Sequence, residues 1–403
     1  MEPHLGATSA MNCGTGSPLR ARSATSNHPV AGRHVRTPIM APFGRILVDW
    51  LQRIKPDDGR QEQWLVRSNI HMRGFWVGLI IGLVVLPPAL ILLCGWYMLA
   101  VPGRSYRGPL PAPTPKERDL ASRLRAHVMA IASAPHNVQH DEELEAAAQY
   151  IERELQNNGY SIGRQEFSVD GSNVRNIEVL RDARGNAATE TLVVGAHYDS
   201  YGDAPGANDN ATGTAAVIEL ARLLKDWQPQ RTRLRFVLFV NEEPPYYRTP
   251  YMGSLRYAER LSETGERVLG MIALETIGAF SDTPKSQRYP QPFGLIFPST
   301  ANFVAFVGLP GARAFLHNLI GSFRRNLAFP SIGGIAPDIV PGIGWSDHWA
   351  FHQFGFPAIM ITDTAPYRYP HYHLPSDTPD KVDYDKLARI TNGLELVVRD
   401  IAR

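Results

Sequence analysis

The sequence predicts an α/β protein: a mixed, mostly parallel central sheet flanked by helices on both faces and preceded by one transmembrane helix. Three observations lead there. Four short apolar runs rich in β-branched and aromatic residues recur along the chain: TLVVGAH (191–197), LRFVLFVN (234–241), VLGMIALET (268–276) and PAIMITD (357–363). Unbroken hydrophobicity over so few residues is the pattern of strands covered on both faces. Amphipathic stretches lie between and around these runs, and that alternation marks a layered α/β sheet. Finally, the run from Gly74 to Gly103 carries no charge and is long enough to cross about 30 Å of hydrocarbon as a helix.

Taken in order, residues 1–73 form a basic tail. Its first 45 residues are rich in Ser, Thr, Gly, Pro and Arg without periodic apolar positions, the composition of a disordered segment. Residues 74–101 are the membrane anchor. Pro87 and Pro88 predict a kink within it, and Trp76, Trp96 and Tyr97 stand near its ends as interfacial anchors do. The basic tail favours a cytoplasmic amino terminus, making this a single-pass membrane protein with its main domain on the periplasmic or extracellular side. Residues 102–115, PGRSYRGPLPAPTP, read as a semi-extended Pro-rich linker. The catalytic domain is expected at 116–403. Helices are predicted at 117–132, at 141–159 with acidic residues at its start and Gly159 at its close, at 211–226 and at 384–402.

The chain has 403 residues, room for one large catalytic unit with accessories. Its net charge of +2 hides an asymmetry: residues 1–115 hold 12 Lys and Arg against 5 Asp and Glu, the remainder 29 against 34. With a mildly acidic body, nothing in the composition points to a nucleic-acid binder. Cys13 and Cys94 are the only cysteines, so the body has neither a disulfide framework nor a thiolate metal site.

Acids and imidazoles gather where strands end. His197 and Asp199 are two apart and share a side of an extended strand; His197 reads as a metal ligand and Asp199 as the carboxylate that orients it. Ten residues after Asp199 comes GANDNATG, directly before a helix, where Asp209 can span two cations. The run LRFVLFV leads into Glu242 and Glu243, adjacent acids whose side chains diverge, so Glu243 can bind metal while Glu242 faces a water as general base. Glu275 closes another apolar run. In PHYHLPSDTPDKVD, His371 and His373 flank Tyr372, and one of these histidines completes the set. Imidazole and carboxylate without thiolate suits zinc, with cobalt or manganese as substitutes, and a shared carboxylate suits a pair of ions about 3.5–4 Å apart.

HYD, GANDNATG, NEE, the acid of LETIG, SDHWAF and YHLPSDT, in that order, resemble the motifs of the co-catalytic zinc exopeptidases that include bacterial leucine aminopeptidase, glutamate carboxypeptidase and, more distantly, glutaminyl cyclase. The likeness runs from about residue 117 to the end. It implies a zinc-aminopeptidase-type sheet and two zinc ions: His197 and Glu275 on one, Glu243 and His373 on the other, Asp209 bridging. It further implies Glu242 as proton-shuttling base, Asp199 behind His197, support from Asp347 and His348, and a cis peptide bond after Asp209. Two departures stand out. Glu275 occupies a position where many members carry Asp, and nine residues separate Glu243 from Gly253 where the common pattern has four.

The function expected is therefore a membrane-anchored aminopeptidase that hydrolyses amino-terminal residues from peptides through a metal-bridged water, with Glu242 as base and Tyr372 donating to the oxyanion. A glutaminyl-cyclase-like acyl transferase, a carboxypeptidase or dipeptidase of the same family, and a non-catalytic receptor-like ectodomain are the alternatives. The partners expected are a peptide substrate and, through residues 74–101, a membrane.

Overall fold

The computed structural model describes residues 58–186 and 188–402. Most of the tail expected at 1–73 lies outside the described residues. A helix from Asp58 to Ile80 (α1) is followed by a π-helical turn, Ile81–Val85, and by α2, Leu86–Leu99. Within this stretch Gln63–Leu99 is long and apolar enough to cross a membrane, and its apolar window is unburied. Pro87 and Pro88 stand in the first turn of α2, directly after that π-helical turn and within the continuous helical stretch.

The body begins with α3 (Pro115–Ile131), which Thr114 starts through a capping box with Glu117, Pro115 occupying the first helical position. Three acids open α4 (Asp141–Asn157), and Gly159, at φ 86°, takes the left-handed turn that ends it. Further helices are α5 (Thr212–Leu224), α6 (Gly253–Glu263), α7 (Arg313–Asn326), α8 (His348–Gln353) and α9 (Tyr384–Ile401).

Eight strands form one sheet: β1 (Gly163–Val169), β2 (Ser172–Arg181), β3 (Glu190–His197), β4 (Thr232–Phe239), β5 (Val268–Glu275), β6 (Val304–Gly308), β7 (Ser331–Ile335) and β8 (Ala358–Thr362). Their order is β1-β2-β4-β3-β5-β8-β6-β7. The four in the middle, β4-β3-β5-β8, are mutually parallel, and they are the four apolar runs of the sequence. Antiparallel pairing joins β1 to β2, β2 to β4 and β6 to β8. The pleat divides the core in two. Leu192, Val194, Ala196, Phe236, Leu238, Ile272 and Leu274 join the cluster that includes the apolar faces of α3, α5, α7 and α9. Val193, Val237, Phe239, Met271 and Ala273 point the other way, against Tyr257 and Leu261 of α6 and Phe351 of α8. Helices thus cover both faces, as the sequence predicts.

Residues 102–114 run against this body rather than standing clear of it. Arg324 donates to the carbonyls of Pro102 and Gly103 at 2.9 Å, the Ser331 N–H to Ser105 Oγ at 2.9 Å, and Arg389 to the Pro111 carbonyl at 2.6 Å. Because β3, β4, β5 and β8 run the same way, their carboxyl ends meet at one edge, the edge where open α/β sheets build their sites.

Candidate metal centre

At that edge the chain turns sharply beside three of the candidate ligands, Glu243, Glu275 and His373. Asn241, Thr276 and His373 all have φ between 47° and 61°, the left-handed region that non-glycine residues rarely adopt, at a cost of about 1–3 kcal/mol each. Asn241 precedes the acid pair, Thr276 follows Glu275, and His373 is itself a candidate. The Asp209–Asn210 bond is cis. Asn210 is fastened on both sides: its amide donates to the Leu274 carbonyl at 2.9 Å, and its Oδ1 accepts from the N–H groups of Gly213 and Thr276 at 3.1 Å.

His197, Asp209, Glu243, Glu275 and His373 converge. Asp209 turns one oxygen to each imidazole: Oδ1 lies 3.4 Å from His197 Nε2 and Oδ2 lies 3.1 Å from His373 Nε2. Glu275 Oε2 stands 3.3 Å from His197 Nε2, and Glu243 Oε1 stands 3.2 Å from His373 Nε2. Glu242 is set back, 3.9 Å from His197 Nε2. His371 is elsewhere, with its Nδ1 2.9 Å from Ser376 Oγ, so His373 is the histidine of that pair that faces the cluster.

A cation fits these groups. Both Asp209 oxygens, Glu243 Oε1 and His373 Nε2 are buried, and among the described residues nothing satisfies them beyond these carboxylate–imidazole approaches. Ligand atoms of His197, Asp209 and Glu243 lie within 4.8 Å of one another. The electrostatics agree. Burial and the Asp209 charge push Glu243 up to about 8 despite His373. Burial also raises Glu242 and Glu275 above the usual carboxylate range. Asp209 resists burial because the two imidazoles hold it well below that range. Burial opposes the His373 imidazolium, but Asp209 and Glu243 hold it up to about 10. Four crowded carboxylates in a low-dielectric site call for positive charge, and imidazole–carboxylate donors without thiolate suit zinc.

Asp199 supports two elements at once. His197 Nδ1 is 3.0 Å from the Asp199 carbonyl and 3.6 Å from its carboxylate. That carboxylate accepts the N–H groups of Glu242 and Glu243 at 3.0 and 3.1 Å, so it pins the acid pair as well as facing the imidazole. Other supports carry little signal in the sequence. Ser346 Oγ donates to Glu275 Oε2 at 2.7 Å. Asp377 accepts the N–H groups of Asn208 and Asp209 at 2.9 and 3.1 Å, and the Tyr369 hydroxyl holds it at 2.7 Å. Tyr201 stacks on His373 at 4.0 Å between centroids and Tyr372 at 3.8 Å, so the imidazole is sandwiched. Ser346 and Asp377 belong to the motifs SDHWAF and YHLPSDT; Tyr201 has no motif to announce it.

Beside the cluster opens an apolar pocket bounded by Glu275, Phe293, Phe306, Met360, Trp345 and Tyr372. The enlarged loop after Glu243 braces its wall. Arg248 donates to Asp338 at 2.6 Å and to the Gly344 carbonyl at 3.1 Å, and its guanidinium lies 4.6 Å from the Trp349 ring centre. The Tyr247 hydroxyl shares that Gly344 carbonyl at 2.5 Å. His348, expected as support, reaches the same wall: its Nε2 donates to the Ile343 carbonyl at 2.7 Å.

The family that the chain matches makes it a metallo-exopeptidase, a hydrolase. The chain belongs to peptidase family M28, whose family model matches residues 178–398. It is 37% identical over 273 residues to the uncharacterized protein YfbL of Escherichia coli (strain K12), a match covering 64% of this chain and 81% of that one. It is 28% identical over 257 residues to a probable zinc metalloprotease of Pyrenophora tritici-repentis (strain Pt-1C-BFP), covering 56% of this chain and 50% of that one; the chain spans about half the length of that relative. The structure of the aminopeptidase from Aneurinibacillus sp. strain AM-1 shares the fold at TM-score 0.56 and 19% identity, over 72% of this chain and 95% of that one. The Fimbriiglobus ruber glutaminyl cyclase shares it at 0.53 and 20%, over 75% and 100%.

Proposed function

We propose that the chain is a membrane-anchored, zinc-dependent aminopeptidase that removes apolar residues from the amino termini of peptides. The observation that carries this reading is the buried convergence of His197, Asp209, Glu243, Glu275 and His373, in which Asp209 faces both imidazoles. His197 and Glu275 would hold one zinc, Glu243 and His373 a second, with Asp209 between them. When bound, zinc supplies Lewis acidity at the scissile carbonyl and lowers the pKa of a water.

The chain's own residues do the rest. The acid-rich edge accepts the ammonium of a free amino terminus, and the apolar pocket beside Glu275 takes the first side chain. Glu242, raised by burial, removes a proton from the attacking water and returns it to the leaving amine. Asp199 keeps that carboxylate aimed by holding its backbone N–H. Tyr372 donates to the oxyanion that develops on the carbonyl. The apolar helix Gln63–Leu99 supports an anchor at 74–101, with the tail at 1–73 cytoplasmic, 102–115 as connection and the catalytic domain 116–403 on the periplasmic or extracellular side.

The test is a chelator-stripped, zinc-restored full chain offered leucyl-nitroanilide, its amino-acylated derivative, a carboxyl-terminal dipeptide substrate and a Gln-initiated peptide. Zinc-dependent cleavage of the free-amine compound alone is the expected result. Ammonia release from the Gln peptide without cleavage would assign acyl transfer instead.

A further inference from the structure

The loops that wall the apolar pocket carry the most exposed large apolar side chains of the body. Among the described residues beyond the long helix, Ile339 is 88% exposed, Leu295 86% and Ile296 60%, ahead of Met129 at 53%. Their sequence neighbours Phe293, Phe297, Val340 and Pro341 line the pocket, so the exposed trio sits on its rim. Both loops are tied to Tyr367, whose hydroxyl donates to the Pro341 carbonyl at 2.8 Å and whose carbonyl accepts the Arg288 N–H at 2.9 Å. One exposed leucine needs no explanation, but a cluster rimming a cavity marks a docking face.

What that face meets follows from α2. Leu99, its last residue, lines the same pocket. The end of α2 is fastened to the body: a Cβ on Gly334 of β7 would stand 3.0 Å from both Leu99 Cδ2 and the Met98 carbonyl. Arg313 of α7 donates to the Tyr97 carbonyl at 2.9 Å and lies 4.3 Å from the Tyr97 ring centre. Trp96 and Tyr97 are the residue types that sit at headgroup level, and Leu99 is only about 3–5 Å further along the helix. A bilayer crossed by this helix therefore has its surface close to the part of the pocket that Leu99 lines.

We propose that the loops bearing Leu295–Ile296 and Ile339 insert into the bilayer interface and hold the mouth of the pocket against lipid. This rests on the reading of Gln63–Leu99 as a membrane anchor and adds a second attachment formed by the body itself. Small apolar wedges of this kind bury a few side chains at the headgroup–acyl boundary and need the anchor to keep them there.

The test uses the full chain with Cys13 and Cys94 changed to Ser, carrying Leu295→Cys or Ile339→Cys labelled with a polarity-sensitive fluorophore, in vesicles containing acyl-chain nitroxide lipid. Both positions are so exposed that substitution leaves packing intact. The expected result is blue-shifted emission that loses most of its intensity to nitroxide lipid and resists aqueous iodide. Labels that iodide reaches and nitroxide lipid leaves bright overturn the proposal. Shielding from both quenchers, with chain-to-chain cross-linking of the Ile339→Cys variant, overturns it in favour of a contact between copies. A chain that fails to float with vesicles overturns both the insertion and the anchor. The readout needs no turnover, so a chain that inserts but cleaves nothing contradicts the peptidase reading alone.

Discussion

Asp209 offers one oxygen to His197 and the other to His373, at 3.4 and 3.1 Å, so its loss removes the carboxylate that faces both imidazoles. Asp209→Ala is expected to purify with little zinc by elemental analysis; unchanged zinc content would contradict bridging. Glu242 is different in kind, because its carboxylate stands back from the imidazoles while its backbone N–H is held by Asp199. Glu242→Gln is expected to retain metal while kcat on leucyl-nitroanilide falls by about 10²–10⁴, the usual worth of a positioned base. Near-normal kcat would remove Glu242 from that role.

Among the elements, the loop from Pro244 to Met252 is the departure with most consequence. It delivers Arg248 and Tyr247 to the wall at 338–349, so it sets how firmly the pocket is shaped rather than how metal is held. Arg248→Ala is expected to lower the preference for leucyl over alanyl substrates by about tenfold, the scale of a few methylenes of pocket fit. The ratio of kcat/KM values measures this, and a ratio equal to that of the parent would show that the wall stands without the brace. The interior strands were legible because β3, β4, β5 and β8 are covered on both faces and read as unbroken apolar runs. Hairpin β1–β2 was not: β1 alternates exposed and half-buried positions, and its residues GRQEFSV carry no apolar stripe. Likewise β7, SIGGI, holds two glycines that strand propensity disfavours. The candidate ligands were visible because each ends an apolar run or sits in a motif. Ser346, Tyr201 and the second role of Asp199 were not, since a hydroxyl, a stacked ring and a pair of backbone hydrogen bonds become recognisable only once the chain is folded.

Across the whole molecule, the crowded acids make stability depend on metal and on pH together. In the metal-free chain Glu243 rises to about 8 and Asp347 to about 7, chiefly through burial. A folded-state value above the unfolded one means the fold holds more protons than the open chain, so stability falls as pH rises through that window. The stripped protein is therefore expected to lose Tm as pH climbs from about 4.5 to about 8. Bound metal takes deprotonated ligands and stabilises the fold, so the Tm gap between loaded and stripped protein is expected to widen over the same range. A gap that stays constant or narrows would show that these carboxylates are not the ones that metal neutralises.

The most direct measurement is the rate of leucyl-nitroanilide hydrolysis by the full chain before chelation, after chelation and after zinc is returned. A zinc-dependent aminopeptidase loses turnover on chelation and regains it with zinc. Turnover that survives thorough chelation, or a zinc-loaded chain that binds metal yet leaves every free-amine substrate intact, would contradict the account.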